Sequence, residues 1–374
     1  MSQDNLEAST PRLSDVFGVK NSLEDALKLI MCNAEAYQKF QCFPPREQQK
    51  VLSFIAGQRG LKVTYDAFFM KIMSPHLHPE RLESFLSELL EDTVHIERVL
   101  PREGIRISEE ASLVIMDILV QLSNGSRVDV EMQKLGLYFP GERSSCYAAD
   151  AIMRQYTELK SKLKDKFTYK AMKPFYLVVL MENSSAPFKS VAPNYIHTEK
   201  TCYDSGAEVT SLSKIKYISL DTFKESVHNI SNKLEAWLMF FSSDEPADIL
   251  ALISTYPEFC ELYKEIAEFR KKPEELIHMY SEALAIADRN TVRLMIDDMQ
   301  EELTNLNAQV EEKTSELEEK KSELEEKKSE LEEKNNELAE INSELAAQKN
   351  QLAAQADEIA RLRAENEKLK SGRQ

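Results

Sequence analysis

Two acids and an amide stand at positions that could hold a metal ion: Asp117, Glu131 and Gln133. Carboxylates are hard oxygen donors. Mg²⁺ is usually held by one or two of them, with water and substrate phosphate filling its remaining positions. A side-chain amide cannot serve as a charged acid or base, but it can orient an attacking water. Together the three residues imply cation-assisted attack of water on a phosphate ester.

The elements that must position them are legible from alternation. Ile118, Val120 and Leu122, then Val128, Val130 and Met132, alternate with polar residues around Ser123-Asn124-Gly125, which predicts a β-hairpin. A two-residue Asn124-Gly125 loop would set Asp117 opposite Met132 and mix acidic with apolar positions on one face. A three-residue loop, a type I turn closed by glycine in the left-handed region, sets Asp117 opposite Glu131 and keeps the apolar sets together. Opposed residues have Cβ atoms roughly 4.5–5.5 Å apart, so two carboxylates there repel unless a cation or proton lies between them. A plainer alternative makes Asp117, Asp129, Glu131 and Gln133 the wet face of a half-exposed hairpin.

Length and composition set the bounds. The 374 residues leave room for two domains, and the hydrophobic share of 42% supports a core. No apolar run approaches the roughly 20 residues of a membrane span, and the polar start Met1-Ser2-Gln3-Asp4-Asn5 lacks signal-peptide character, so a cytoplasmic protein is expected. The five cysteines, Cys32, Cys42, Cys146, Cys202 and Cys260, are scattered without a Cys-x-x-Cys pair and read as reduced thiols. His76 and His78 share a Pro-flanked loop but show no ligand spacing.

The formal net charge is −17, of which residues 301–374 contribute −8, from 20 acidic and 12 basic residues. An acidic whole does not forbid phosphate contacts, which need only local positive potential. Met153 to Lys173 supplies it, with Arg154, Lys160, Lys162, Lys164, Lys166, Lys170 and Lys173 against Glu158 and Asp165, and with Tyr156, Phe167 and Tyr169 interleaved. This stretch could bind a nucleic-acid backbone or be a solvated lysine-rich helix face. Arg143 and Tyr147, one helical turn apart after the hairpin, could reach a phosphate; Arg143 could equally pair with Glu142.

Several ordered segments carry a resemblance: Thr64-Tyr65-Asp66-Ala67-Phe68-Phe69-Met70-Lys71, His78-Pro79-Glu80-Arg81-Leu82, Ser112 to Ile118, Val130-Glu131-Met132-Gln133-Lys134, Phe139-Pro140-Gly141-Glu142-Arg143, Cys146 to Asp150, Met153 to Tyr156, and Asp288 to Val292. They resemble the PD-(D/E)XK nuclease superfamily, in its recombination-promoting nuclease and transposase group. The resemblance implies a Mg²⁺-dependent (or other divalent-cation-dependent) DNA endonuclease in recombination or mobile-element biology, with a restriction-endonuclease-like mixed sheet flanked by helices, an α/β (α+β) class. It makes Asp117 and Glu131 metal ligands and puts Gln133 where the superfamily has a lysine. It also implies an acid on an earlier helix, for which Glu88, Glu109 and Glu110 are candidates. Arg143, Tyr147, Arg154, Lys160, Lys162 and Lys164 would bind DNA. Because the lysine is replaced, a catalytically degenerate module that binds DNA or protein is the alternative.

The expected organisation is a helical extension at 1–60, a nuclease-like core at 61–220, a helical part at 221–298 and a coiled coil at 299–374. Ser22-Leu23-Glu24-Asp25 reads as a capping box opening the first helical stretch, and the apolar run Phe175 to Met181 as a buried strand. In the tail, Leu303, Val310, Leu317, Leu324, Leu331, Leu338, Leu345, Leu352 and Ile359 recur every seventh residue. With these at d, the a positions read Asn307, Thr314, Lys321, Lys328, Asn335, Asn342 and Lys349, which favours a parallel homodimer at some loss of stability. Glu316–Lys320, Glu323–Lys327 and Glu330–Lys334 spacing also suits an isolated helix, and a higher oligomer is the third arrangement.

Overall fold

The computed structural model describes residues 13–18, 21–102, 116–134, 140–207, 209–226 and 229–371; Glu109 and Glu110 lie outside them. Among the described residues, six helices come first: α1 (Leu13–Phe17), α2 (Leu23–Met31), α3 (Ala34–Gln41), α4 (Pro45–Ile55), α5 (Asp66–Ile72) and α6 (Pro79–Leu90). Ser22 caps α2 as the sequence leads one to expect: its Oγ accepts the Asp25 N–H at 3.0 Å, and the Asp25 carboxylate takes the Ser22 N–H and O–H in return.

Strands β1 (Ile96–Val99), β2 (Ile118–Leu122) and β3 (Arg127–Gln133) lead into the long helix α7 (Pro140–Leu163), then β4 (Phe175–Met181), α8 (Ala186–Lys189), β5 (Ile196–Thr198) and β6 (Ser213–Ser219). The six strands form one mixed sheet in the order β1-β2-β3-β4-β6-β5. The β1–β2 and β2–β3 pairs are antiparallel, β3–β4 and β4–β6 are parallel, and β5 runs antiparallel along the edge of β6. The parallel β3–β4 pair requires a crossover, and α7 provides it. Helices α9 (Leu220–Ser226), α10 (Lys233–Ser242), α11 (Pro246–Thr255), α12 (Phe259–Glu268) and α13 (Pro273–Ser371) complete the chain. Among the described residues, no helix is long and apolar enough to cross a membrane.

Burial divides the sheet by the parity of its residues. Ile118, Val120, Leu122, Val128, Val130 and Met132 face a large core shared with α2 to α6, α10, α12 and the first turns of α13. Trp237 belongs to that core, ringed by Phe85, Phe241 and Phe259, and its indole N–H reaches Ser84 Oγ at 3.2 Å. On the other face, Leu119, Leu177, Val179 and Tyr217 pack beneath Tyr147, Ala148 and Ala151 of α7 in a smaller core. Residues 1–295 form one compact unit and 296–374 a second. In the second unit, α13 keeps Leu303, Val310, Leu317, Leu324, Leu331, Leu338, Leu345, Leu352 and Ile359 exposed.

The hairpin register is the one expected. Ile118 pairs with Val130, Leu119 with Asp129 and Val120 with Val128, and the same offset carries Asp117 opposite Glu131. The loop is the three-residue one: Gly125 sits at φ +85°, its N–H donates to the Leu122 carbonyl at 2.8 Å, and Leu122 N–H donates to the Ser126 carbonyl at 2.8 Å. A Cβ on Gly125 would adopt the left-handed region and lie 3.2 Å from Lys173 Cγ. Gly125→Ala is therefore expected to cost roughly 1–2 kcal/mol of stability, measured by denaturant unfolding. A loss near zero would show that the loop relaxes to another turn type.

Candidate active site

Where β2 begins, side chains replace backbone in the ladder. Asp117 Oδ2 accepts the Met132 N–H at 2.9 Å, and the Asp117 N–H donates to Glu131 Oε1 at 2.9 Å. Glu131 Oε2 accepts from Gln133 Nε2 at 3.1 Å. Asp117 and Glu131 are thus interlocked across the hairpin, with Gln133 holding the second oxygen of the glutamate. The group lies at the carboxyl end of β3, where α/β sheets usually place their ligand sites.

The wet-face reading is corrected by burial. Asp129 is 0% exposed and Glu131 4%. Asp129 lies in one row with Leu119 on β2 and Leu177 on β4, while Glu131 stands beside Val179, so α7 and apolar neighbours cover a face that alternation alone makes polar. Among the described residues, both Asp129 carboxylate oxygens lie buried without a donor outside the adjoining Glu131 carboxyl. Burial pushes the Asp129 carboxyl well above the usual carboxylate range, and the charge of Asp117 adds to this. Burial does the same to Glu131, reinforced by Asp129 and Asp117. The arrangement requires a proton or a cation to be at ease.

Basic groups flank the acids. Arg143 lies at the start of α7, its Nη2 donating to Tyr147 Oη at 2.9 Å and its guanidinium 5.4 Å from that ring. Burial lowers the Arg143 pKa, but Tyr147, Glu131 and Asp117 outweigh it and hold the group charged. Arg102 approaches Asp117 Oδ1 at 3.9 Å and donates to the Met116 carbonyl at 2.7 Å. Lys134, next along from Gln133, turns to the opposite face, where its Nζ sits 3.6 Å from the centre of the Tyr65 ring. It is on the wrong side of the sheet to take the place of the superfamily lysine.

The remaining sequence candidates divide by position. Arg154 braces the wall of the site: it pairs with Asp150 at 2.9 Å and donates to the Pro101 carbonyl at 2.8 Å. Lys160 and Lys162 lie at the far end of α7, about 25–30 Å along the helix from Arg143 at its rise per residue, and Lys164 opens the 3₁₀ segment that follows it. They do not join the carboxylates. Glu88 is on α6, whose Leu82, Phe85, Leu86 and Leu89 pack against the opposite face of the sheet.

Asp129 is the acid that the sequence alone does not single out as part of the site: its spacing of two from Glu131 puts it on the same strand face, which alternation reads as exposed. Among the described residues, no three or more His, Cys, Asp or Glu side chains are gathered as a ready-made metal cage. Mg²⁺ does not need one, since one or two carboxylates with water and phosphate suffice. The all-oxygen donors of Asp117 and Glu131, beside the buried Asp129 carboxylate whose charge the described residues leave uncompensated, therefore fit a hard divalent cation.

A family model for PD-(D/E)XK nuclease family transposases matches residues 64–293, most of the chain, and the protein belongs to that family. No curated protein and no solved structure matches it. The mixed sheet with flanking helices agrees with the family's α/β fold. Membership points to a nuclease- or transposase-type function on DNA, in a family of nucleases that typically use divalent cations.

Proposed function

We propose that the chain is a Mg²⁺-dependent DNA endonuclease that hydrolyses phosphodiester bonds at the Asp117–Glu131 pair. The observation that carries this reading is the interlocked pair at the carboxyl end of β3, backed by a third, buried carboxylate that among the described residues has no donor beyond the Glu131 carboxyl. Asp117 and Glu131 would hold the cation, which when bound polarises the phosphate and lowers the pKa of water. With its Nε2 committed to Glu131, Gln133 offers its carbonyl oxygen to orient a water. Arg143, steadied by Tyr147, presents positive charge to the phosphate. The enclosing wall of α7 keeps these charges in a low-dielectric setting, where they act more strongly than in water. The test is nicking of supercoiled plasmid with Mg²⁺ and with EDTA. Cleavage with no divalent ion would overturn the cation's role, and absence of cleavage with every divalent ion would leave the degenerate binding module.

The exposed heptad leucines of α13 support a parallel homodimer through residues 299–374. Sedimentation of the full chain is expected to give a dimer mass, and a version lacking Glu301–Gln374 a monomer mass. Monomer masses for both would reject the dimer.

A further inference from the structure

The far end of α7 carries a second surface with its own chemistry. After Leu163 the chain enters the left-handed region at Lys164 (φ 48°) and folds back through two short 3₁₀ segments, Lys164–Lys166 and Tyr169–Ala171. That reversal gathers Tyr156, Phe167 and Tyr169. The Tyr156 and Phe167 centroids are 5.3 Å apart, and Tyr156 and Tyr169 stack at 6.3 Å with an interplanar angle of 18°. Lys160 Nζ lies 5.2 Å from the centre of the Phe167 ring, and Tyr169 is 75% exposed.

Beside this group a cleft of about 380 Å³ runs between the hairpin turn and α7, with Arg98, Arg127, Lys162 and Lys173 in its lining. Glu158 is committed to both arginines. Lys160, Lys162 and Lys173 form no ion pair within 4.0 Å among the described residues, so their charge remains available.

We propose that this end of α7 binds a single-stranded stretch of DNA flanking the cleavage site, bases stacking on Tyr169 and phosphates lying along Lys160, Lys162 and Lys173. An exposed aromatic plane beside unpaired lysines suits unpaired bases, whose faces are open, and every base offers such a face. Bases in a duplex are already stacked on one another. The separation of about 25 Å between Arg143 and Lys160 along α7 leaves room for several nucleotides between the two sites. The inference rests on the nuclease reading for its choice of DNA.

The two readings are tested separately. Binding of the full chain is measured in EDTA by fluorescence anisotropy, with labelled oligo(dT) of roughly a dozen nucleotides, within the site sizes of such grooves, and a duplex of equal length. Tyr169→Ala is expected to weaken oligo(dT) binding roughly tenfold more than duplex binding, with an unchanged melting temperature because the ring is exposed. Lys162→Ala is expected to reduce the slope of log affinity against log salt on oligo(dT) by about 0.7, one phosphate contact. Equal losses on both nucleic acids, or no loss, would overturn the single-strand site. Plasmid nicking by the wild type, run in parallel with Mg²⁺, reports on the nuclease reading alone.

Discussion

Asp117→Asn is expected to abolish the Mg²⁺-dependent plasmid nicking proposed for this chain, with a loss of about a thousandfold or more, the several kcal/mol that a cation's charge stabilisation supplies. Asparagine is the informative substitution because Asp117 has a structural duty as well. Its Oδ2 accepts the Met132 N–H where β2 begins, and an amide oxygen can still do so. The variant should therefore keep a melting temperature close to that of the wild type while losing activity. Asp117→Ala also leaves that N–H without its partner, adding a stability loss of about 1 kcal/mol. Comparing the two separates chemistry from folding. Equal nicking by wild type and Asp117→Asn would sink the site assignment. Equal inactivity of both variants with only Asp117→Ala destabilised is the pattern required.

Much of this site was legible in sequence because a hairpin leaves few registers open. The side-chain period of two, the apolar sets on either side of Ser123-Asn124-Gly125 and the need for a left-handed residue at Gly125 together determine that Asp117 opposes Glu131. The continuous apolar run of β4 was equally plain, since a parallel central strand is buried on both faces. What alternation could not say is which side of β3 would be covered. Asp129 and Glu131 look like surface residues in a list, and only the crossover by α7 buries them. Strands β1 and β5, at four and three residues, lie at the sheet edges and are too short for a periodic signal. The distance between the lysines of α7 and the carboxylates was concealed for a similar reason. Adjacency in sequence follows the helix, and a helix of 24 residues carries its two ends to opposite ends of the sheet.

Asp129→Asn is expected to stabilise the metal-free protein at neutral pH, with the gain disappearing in acid. Burying an ionised carboxylate without donors costs several kcal/mol unless a proton or a cation compensates. Asp129 and Glu131 both have folded-state pKa values above those of the unfolded chain, so the folded form retains a proton that the unfolded form has released. A raised folded pKa contributes stability that is fully present below the unfolded carboxylate pKa, about 4, and lost as pH rises toward the folded value. Stability of the wild type in EDTA should therefore fall as pH rises above that range. The variant carries no charge at 129, so its curve should be flatter, meeting the wild type in acid and lying above it at neutrality. Saturating Mg²⁺ should narrow the neutral-pH gap, because a ligand that binds only the folded state adds about 2.7 kcal/mol at a hundred times its Kd, and the wild type has more charge to offer it. Thermal unfolding across pH, with EDTA and with Mg²⁺, reads all of these together. A gap between the two proteins that is independent of pH would mean that Asp129 is compensated by some other group, and the strained-acid account of the site would fail.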